Sequence, residues 1–142
     1  MTKKTYHPKK VKFLGLLILL TLLLGCETYH LTTLSLMEQM AGTKIEKKVM
    51  VLPVFPLVFR GISDGNSLVQ LRVFDKTEKE LIIPVTHRTQ VRITKKDGKR
   101  STFYFDTLII QDSLITGKLG HFSTYKIIPI NLNNISKIEL QN

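Results

Sequence analysis

The clearest pattern in this chain is a two-residue alternation of apolar and polar positions from residue 67 to the C-terminus. It occurs in short runs separated by turn residues, which is typical of antiparallel β-structure. The runs are SLVQLRVFD, ELIIPV, TQVRITK, STFYFDTLII, SLITGKL, YKIIPINL and ISKIELQ. Asp97-Gly98, between TQVRITK and STFYFDTLII, is a dipeptide that favours tight hairpins. Because no long helical period is present, the pattern predicts an all-β fold.

The same alternation predicts the core. The apolar phase changes after Phe105, so we expect a bulge or bend near Asp106-Thr107. A three-residue spacing from Ile135 to Ile138 predicts one helical turn before the last strand. Strong turns at short intervals predict a small, strongly bent β-barrel or roll of about five to seven strands. The predicted core residues are Val91, Ile93, Phe103, Phe105, Leu114, Ile128, Ile135, Ile138 and Leu140.

Residues 49–66 interrupt this pattern with an apolar segment and a turn. The segment, VMVLPVFPLVF, contains Pro53 and Pro56, which disfavour both a helix and a central strand. We expect an extended stretch that packs over the core, in preference to one pressed into lipid. The residues from Arg60 to Asn66 then carry turn chemistry. The β domain is therefore predicted to occupy residues 67–142.

Residues 26–48 are predicted to form a tether in front of the domain. The stretch is short, contains Thr and Gly, and has no clear helix cap. Leu31, Leu34, Met37 and Met40 recur every third residue, so a short amphipathic helix near a membrane is the alternative. Lysines at the end of the tether would favour an anionic membrane surface.

The first 25 residues have the form of an export signal. Residues 1–12 contain five lysines and no acid, and the twelve residues from Phe13 to Leu24 are almost entirely apolar. That run is too short for a spanning helix, which needs about 20 residues. Gly25 is a small residue directly before Cys26, the only cysteine. A basic head, a short apolar segment and a small residue predict a secretory signal peptide over residues 1–25.

The stretch LLGC, which ends at Cys26, resembles the lipobox of bacterial lipoproteins. The resemblance implies diacylglycerol on the Cys26 sulfur, removal of residues 1–25 and an anchor in the cell envelope. Glu27 resembles the release-competent signal of enteric bacteria, in which Asp at this position retains lipoproteins in the inner membrane. The implied location is the outer membrane, with the domain on its periplasmic face.

Composition limits the classes of partner. Removing the signal leaves 142 − 25 = 117 residues, which is enough for one small domain. The net charge of +10 falls to +5, because five of the 21 basic residues lie in the signal and none of the 11 acidic residues does. That charge is ordinary for solubility, and no nucleic-acid partner is predicted. Because no second cysteine exists, disulfides cannot support the fold.

The C-terminal part resembles a small Sm-like barrel of the kind found on lipoproteins of Bacteroidota. The resemblance covers residues 86–142 and rests on VRITKKDGKRSTFYFDTLIIQDSLITGK followed by IPINLNNISKIELQ. It implies a five-stranded barrel. Because the RNA-binding loop signatures of the Sm family are missing from this sequence, the resemblance implies no binding role.

Residues with catalytic chemistry do not form a recognisable motif. His30, His87 and His121 have no ligand partner at metal-site spacing, so neither a metal nor a cofactor is predicted. No serine lies in a nucleophile elbow. Asp64, Asp97, Asp106 and Asp112 each fall at a turn, where Asp stabilises the backbone. The chain is therefore predicted not to be an enzyme.

One basic cluster surrounds the Asp-Gly turn. We expect it to be a solvated hairpin tip that lysine keeps soluble. The alternative is an anion-binding loop in which Tyr104 and Tyr125 interleave with the cations. The cluster consists of Lys95, Lys96, Lys99 and Arg100.

These observations predict a lipid-anchored envelope protein with a small non-catalytic β module that is structural or binds a partner. The partners are the membrane, through acyl chains on Cys26, and an envelope protein or polymer reached by strand addition at an exposed β edge. The alternatives are a small membrane-tethered hydrolase or hydrolase inhibitor, and a lipid-binding envelope module built around residues 49–59.

Overall fold

The computed structural model describes residues 27–123 and 128–141, and it confirms the all-β class. Its elements comprise eleven strands, one α-helix and two 3-10 turns. In chain order they are β1 (Thr28–Leu31), α1 (Thr33–Met40), β2 (Ile45–Val54), β3 (Leu57–Asn66), β4 (Gln70–Phe74), β5 (Glu80–Pro84), β6 (Gln90–Lys95), β7 (Arg100–Tyr104), a 3-10 turn (Phe105–Thr107), β8 (Ile109–Gln111), β9 (Leu114–Thr116), β10 (Ile130–Asn131), a second 3-10 turn (Leu132–Asn134) and β11 (Ile135–Gln141).

The strands form three antiparallel sheets. The largest has six strands in the order β5-β4-β1-β11-β6-β7, and a three-stranded sheet has the order β10-β9-β8. The third consists of β2 and β3 alone. The predicted barrel closure is wrong for the described part of the chain, because none of these sheets closes on itself.

The hairpins predicted from alternation are present. β4 pairs with β5, and β6 pairs with β7 around Gly98, whose φ of 81° explains the glycine at that turn. The Asp75 carboxylate caps the β4–β5 turn by accepting from the backbone N–H groups of Thr77 and Lys79. Asp112 and Ser113 both have positive φ between β8 and β9, as a type I′ turn requires.

The segment predicted to be a tether belongs to the folded domain. β1 lies between β4 and β11, with His30 opposite both Phe74 and Glu139. Thr32 caps α1 by accepting from the Ser35 N–H, and the helix buries Leu36 and Met40. The tether prediction failed because a four-residue strand and a two-turn helix are too short to show a clear apolar period in the sequence. Both are stabilised by their contacts with the rest of the domain.

The predicted domain boundaries are also corrected. The six-stranded sheet takes β1, β4 and β5 from outside residues 86–142, so that range does not form a separate barrel. Residues 60–66, predicted as a turn, continue β3 to Asn66. The apolar segment 49–59 does not pack over the core but forms the outer half of the β2–β3 hairpin, including its turn.

Most of the predicted core is confirmed, and its buried members are Val91, Ile93, Phe103, Phe105, Ile135, Ile138 and Leu140. Leu114 and Ile128 are corrections, because they are 37% and 84% exposed. Leu114 starts a three-residue strand whose buried position is Ile115, so its side chain takes the outer face. The Ile135–Ile138 spacing reflects a register shift in β11 rather than a helical turn, which instead precedes the strand at Leu132–Asn134.

Candidate functional site: an exposed apolar arm

The β2–β3 hairpin carries the most unusual surface of the described domain. We call residues 49–62 the apolar arm, because nine of its side chains are large, apolar and 47–99% exposed. Together they present roughly 500–800 Å² of apolar surface, if a fully exposed side chain of this kind contributes about 100–150 Å². The largest apolar patch on a soluble monomer is about 300–600 Å². The nine are Val49, Val51, Leu52, Val54, Phe55, Leu57, Val58, Phe59 and Ile62.

Both faces of the arm are apolar. Register places Val49, Val51, Pro53, Val58, Arg60 and Ile62 on one face and Met50, Leu52, Val54, Leu57, Phe59 and Gly61 on the other. Arg60 is the only polar side chain among them. A hairpin with one face on a core and one in water alternates apolar and polar residues, and this one does not. The composition therefore indicates an environment that contacts both faces.

Charged side chains lie mainly at the base of the arm. From Lys47 to Ser63 the sequence contains Lys47, Lys48 and Arg60 but no carboxylate. Lys48 lies 3.5 Å from Glu46, at the foot of β2. Arg88 and His87, both exposed, line a depression of about 430 Å³ together with Met50. Asp64 lies opposite Lys47 on β3, so the base of the arm carries two carboxylates, Glu46 and Asp64, beside its lysines. The arm itself carries one cation, Arg60, and no carboxylate.

Two glycines let β3 approach the rest of the domain closely. A Cβ at Gly65 would lie 1.9 Å from the Asp106 carbonyl oxygen, and one at Gly61 would lie 2.6 Å from that of His121. Only glycine fits at these distances. The Lys118 ammonium adds a hydrogen bond of 3.2 Å to the Ile62 carbonyl. These contacts fix the base of the arm and leave its tip free, with Phe55 99% exposed.

Asn66 closes the base of the hairpin from within the core. Its Nδ2 donates to the carbonyls of Phe105 and Leu108 at 2.7 and 3.0 Å, and its Oδ1 accepts from the Leu68 N–H at 3.1 Å. This buried amide joins the end of β3 to the first 3-10 turn and to the residues that lead into β4.

Beneath the arm, Asp106 and His121 form a pair that sequence analysis did not find. The His121 Nε2 lies 3.0 Å from both Asp106 carboxylate oxygens, and its ring packs on Tyr104 with centroids 4.3 Å apart. Asp–His pairs can orient a general base, but such a base must present a ring nitrogen to a substrate. His121 is only 8% exposed, and its Nε2 faces Asp106. The geometry favours a structural role that holds residues 120–123 under the arm.

The base of the arm and Thr28 lie near the same end of the strands of the six-stranded sheet. Register aligns Thr28, Gln141, Gln90 and Tyr104 in one row across β1, β11, β6 and β7. Three strand spacings of about 4.8 Å separate Thr28 from Tyr104, a span of at most about 14 Å. Tyr104 and Gln90 also line the depression beside Met50. The base of the arm and Thr28 therefore lie at the same end of these strands.

Other residues singled out from the sequence lie apart from the arm or outside the described residues. Cys26 and Tyr125 lie outside them. His30 lies on β1 opposite Glu139, whereas His121 contacts Asp106. Among the described residues, no group of three or more His, Cys, Asp or Glu side chains could hold a metal ion.

The basic cluster forms a solvated hairpin tip, as expected. Asp97 lies 3.8 Å from the Lys95 ammonium and 3.7 Å from that of Lys99. The Lys99 N–H, which donates to the Asp97 carboxylate, is the main cause that lowers the Asp97 pKa. Tyr104 does not interleave with this cluster, because it lies at the opposite end of β7, across from Gln90.

No helix within residues 27–123 and 128–141 is long and apolar enough to cross a membrane. Comparisons with protein-family models, curated proteins and solved structures find no significant match to this chain.

Proposed function

We propose that this chain is a lipid-anchored protein of the bacterial cell envelope that binds a partner through the apolar arm and catalyses no reaction. The exposed apolar arm is the observation that carries the binding role. Well-packed domains of this size rarely leave so much apolar surface in water unless it serves an interaction. Because the arm offers almost no polar side chains, it suits a protein or lipid partner better than a hydrated polysaccharide.

The anchor is proposed at Cys26, on the lipobox-like sequence LLGC. The next two residues along the chain belong to the folded domain: Glu27 accepts a hydrogen bond from the Tyr29 hydroxyl, and Thr28 pairs with Gln141. An anchor at position 26 would therefore hold the folded domain close to the bilayer. We further propose that the membrane is the outer membrane and that the domain faces the periplasm.

Metabolic labelling with a palmitate analogue tests the anchor. We expect the wild-type chain to incorporate label and to sediment with outer membranes, and Cys26→Ser to lose the label and accumulate as precursor. Glu27→Asp is the matched control, since it should retain the label but shift the protein to the inner membrane. Labelled Cys26→Ser protein would refute the anchor, and digestion by protease added to intact cells would refute the periplasmic location.

A further inference from the structure

We infer that the occupant of the apolar arm is the interface of the same bilayer that anchors the chain, a step that rests on the proposed function. The arm would lie among lipid headgroups and the first part of the acyl chains. Three features of the described residues carry this inference: where the arm leaves the domain, which charges surround it and what its backbone leaves unpaired.

Position is the first feature. Two peptide units separate position 26 from Thr28, so an anchor there lies within about 7 Å of the row that runs from Thr28 to Tyr104. The arm leaves the domain beside Tyr104 and extends five residues beyond the Met50–Gly61 pair, or about 16 Å. An anchor and an arm on one edge of the domain can reach one membrane surface together.

Charge is the second feature. Bacterial membranes contain anionic lipids, which attract basic residues close to the surface. Arg60 is exposed on the arm, which carries no carboxylate, and Arg88 lines the same depression as Met50. At the base, Lys47 and Lys48 lie next to two carboxylates, Asp64 opposite Lys47 and Glu46 beside Lys48, so the cations of the two strands exceed the carboxylates by one. Apolar side chains at the tip with cations behind them match the order of acyl chains and headgroups at a membrane surface.

The backbone is the third feature, and it sets the depth. Within the described part of the chain, β2 and β3 pair only with each other, so each strand has one open edge there. Open edges are not tolerated in hydrocarbon, but water satisfies them at the interface. Pro53 has no N–H, so β2 lacks one backbone donor at this position. The missing donor also makes the open edge of β2 poor for pairing with another strand. Interfacial placement satisfies both the side chains and the backbone.

A single tryptophan can test this directly, because the chain contains none. Phe55→Trp places the reporter at the tip, where 99% exposure means that the substitution disturbs no packing. Ile82→Trp is the matched control, since Ile82 is an exposed apolar residue on β5, away from the arm. Both variants are expressed from the whole chain, purified from membranes and reconstituted into phosphatidylethanolamine–phosphatidylglycerol vesicles, with and without lipids brominated near the start of the acyl chain.

We expect blue-shifted emission that brominated lipid quenches for Phe55→Trp, and water-like, unquenched emission for Ile82→Trp. Adding Arg60→Gln to Phe55→Trp should lower the equilibrium constant for insertion of the arm into anionic vesicles about fivefold, because each basic residue at the surface contributes about 1 kcal/mol. Water-like emission from both reporters would overturn the inference. Blue-shifted but unquenched emission would also overturn it, because the arm would then be buried in protein, either a second copy or another partner.

The palmitate label is measured on the same samples, which separates this inference from the proposed anchor. Quenching of Phe55→Trp without label at Cys26 would refute the anchor alone. Label without quenching would refute the bilayer as occupant of the arm and leave the anchor standing.

Discussion

Replacing Asn66 with alanine tests whether one buried amide holds the base of the arm to the core. Asn66 is only 2% exposed, and its side chain makes all three hydrogen bonds described above. Asn66→Ala removes them together. The Phe105 carbonyl keeps a second donor, the Leu108 N–H at 3.0 Å. The Leu108 carbonyl and the Leu68 N–H lose the partner that the amide provides.

The expected cost follows from those two groups. A buried acceptor left without a donor costs about 1–3 kcal/mol, which applies to the Leu108 carbonyl. The Leu68 N–H is only half-buried and costs less, because water can replace the amide there, so the free energy of unfolding should fall by about 1–4 kcal/mol. Removing the side chain also leaves a small cavity, which adds to this loss. Small domains have about 5–15 kcal/mol of stability in total. Asn66→Ala should therefore unfold at a much lower urea concentration or fail to accumulate in cells.

Urea denaturation of the chain from residue 27, followed by far-ultraviolet circular dichroism, measures this cost. Asn133→Ala is the control, because Asn133 is exposed in the second 3-10 turn and should change stability by no more than about 0.5 kcal/mol. Equal urea midpoints for Asn66→Ala and Asn133→Ala would show that the Asn66 amide contributes nothing, contrary to the geometry.

Two further changes test the close approach at β3 and the cap of the β4–β5 turn. Gly65→Ala should cost about 3 kcal/mol, because the new Cβ meets the Asp106 carbonyl and the backbone must move. Gly120→Ala, whose nearest neighbour would be 3.8 Å away, should unfold at the wild-type urea midpoint, and equal midpoints for both variants would contradict the close contact. Hydrogen bonds, first that from the Thr77 hydroxyl, lower the Asp75 pKa below 3.8. The ionised carboxylate therefore stabilises the fold above pH 3.8, and this stabilisation is lost as the pH falls through the lower pKa of the folded state. Wild type and Asp75→Ala should differ in urea midpoint at about pH 6, and the difference should shrink as the pH falls below 3.8. A constant difference across that range would assign the effect to something other than the carboxylate.

Local signals in the sequence account for the hairpins that were predicted correctly. A two-residue period indicates a strand, and Asp97-Gly98 supplies the positive φ of the turn that reverses it. Val91, Phe103 and Leu140 could be assigned to the core because alternation alone decides which face of a strand is buried. All of this information lies within about ten residues along the chain.

The first strand and the helix depend on distant partners, which explains why they were missed. Thr28 pairs with Gln141, and nothing in the four residues of β1 indicates that the two ends of the domain meet. The Gln39 amide accepts from the Arg72 N–H and donates to the Arg72 carbonyl. A side chain of α1 thus satisfies backbone groups of β4 that β1 does not reach, because β1 pairs with β4 only at His30 and Phe74. A domain cut at residue 67 would lose these contacts and expose the centre of the six-stranded sheet.

The Asp106–His121 pair was missed for the same reason. Asp106 was correctly placed at a bend and His121 in a loop, but the fold brings them together through the path of β8 and β9. Asp and His at turns are common, and their spacing of fifteen residues matches no motif. The signal that does exist is compositional: two glycines on β3, at positions 61 and 65, mark where another backbone approaches closely.

The apolar arm shows why composition alone gave the wrong environment for residues 49–59. Eleven nearly continuous apolar residues usually indicate a buried strand, and a buried strand needs a covering layer on each face. The described domain provides no such layer beyond the Met50–Gly61 pair, so the environment of the arm must come from elsewhere. Its side chains suit hydrocarbon on both faces, but its open backbone edges do not. A lone arm therefore fits the membrane interface, and deeper insertion would require its edges to pair with those of another copy. The depth at which lipid quenches a tryptophan at position 55 thus distinguishes a single interfacial arm from an assembly of several.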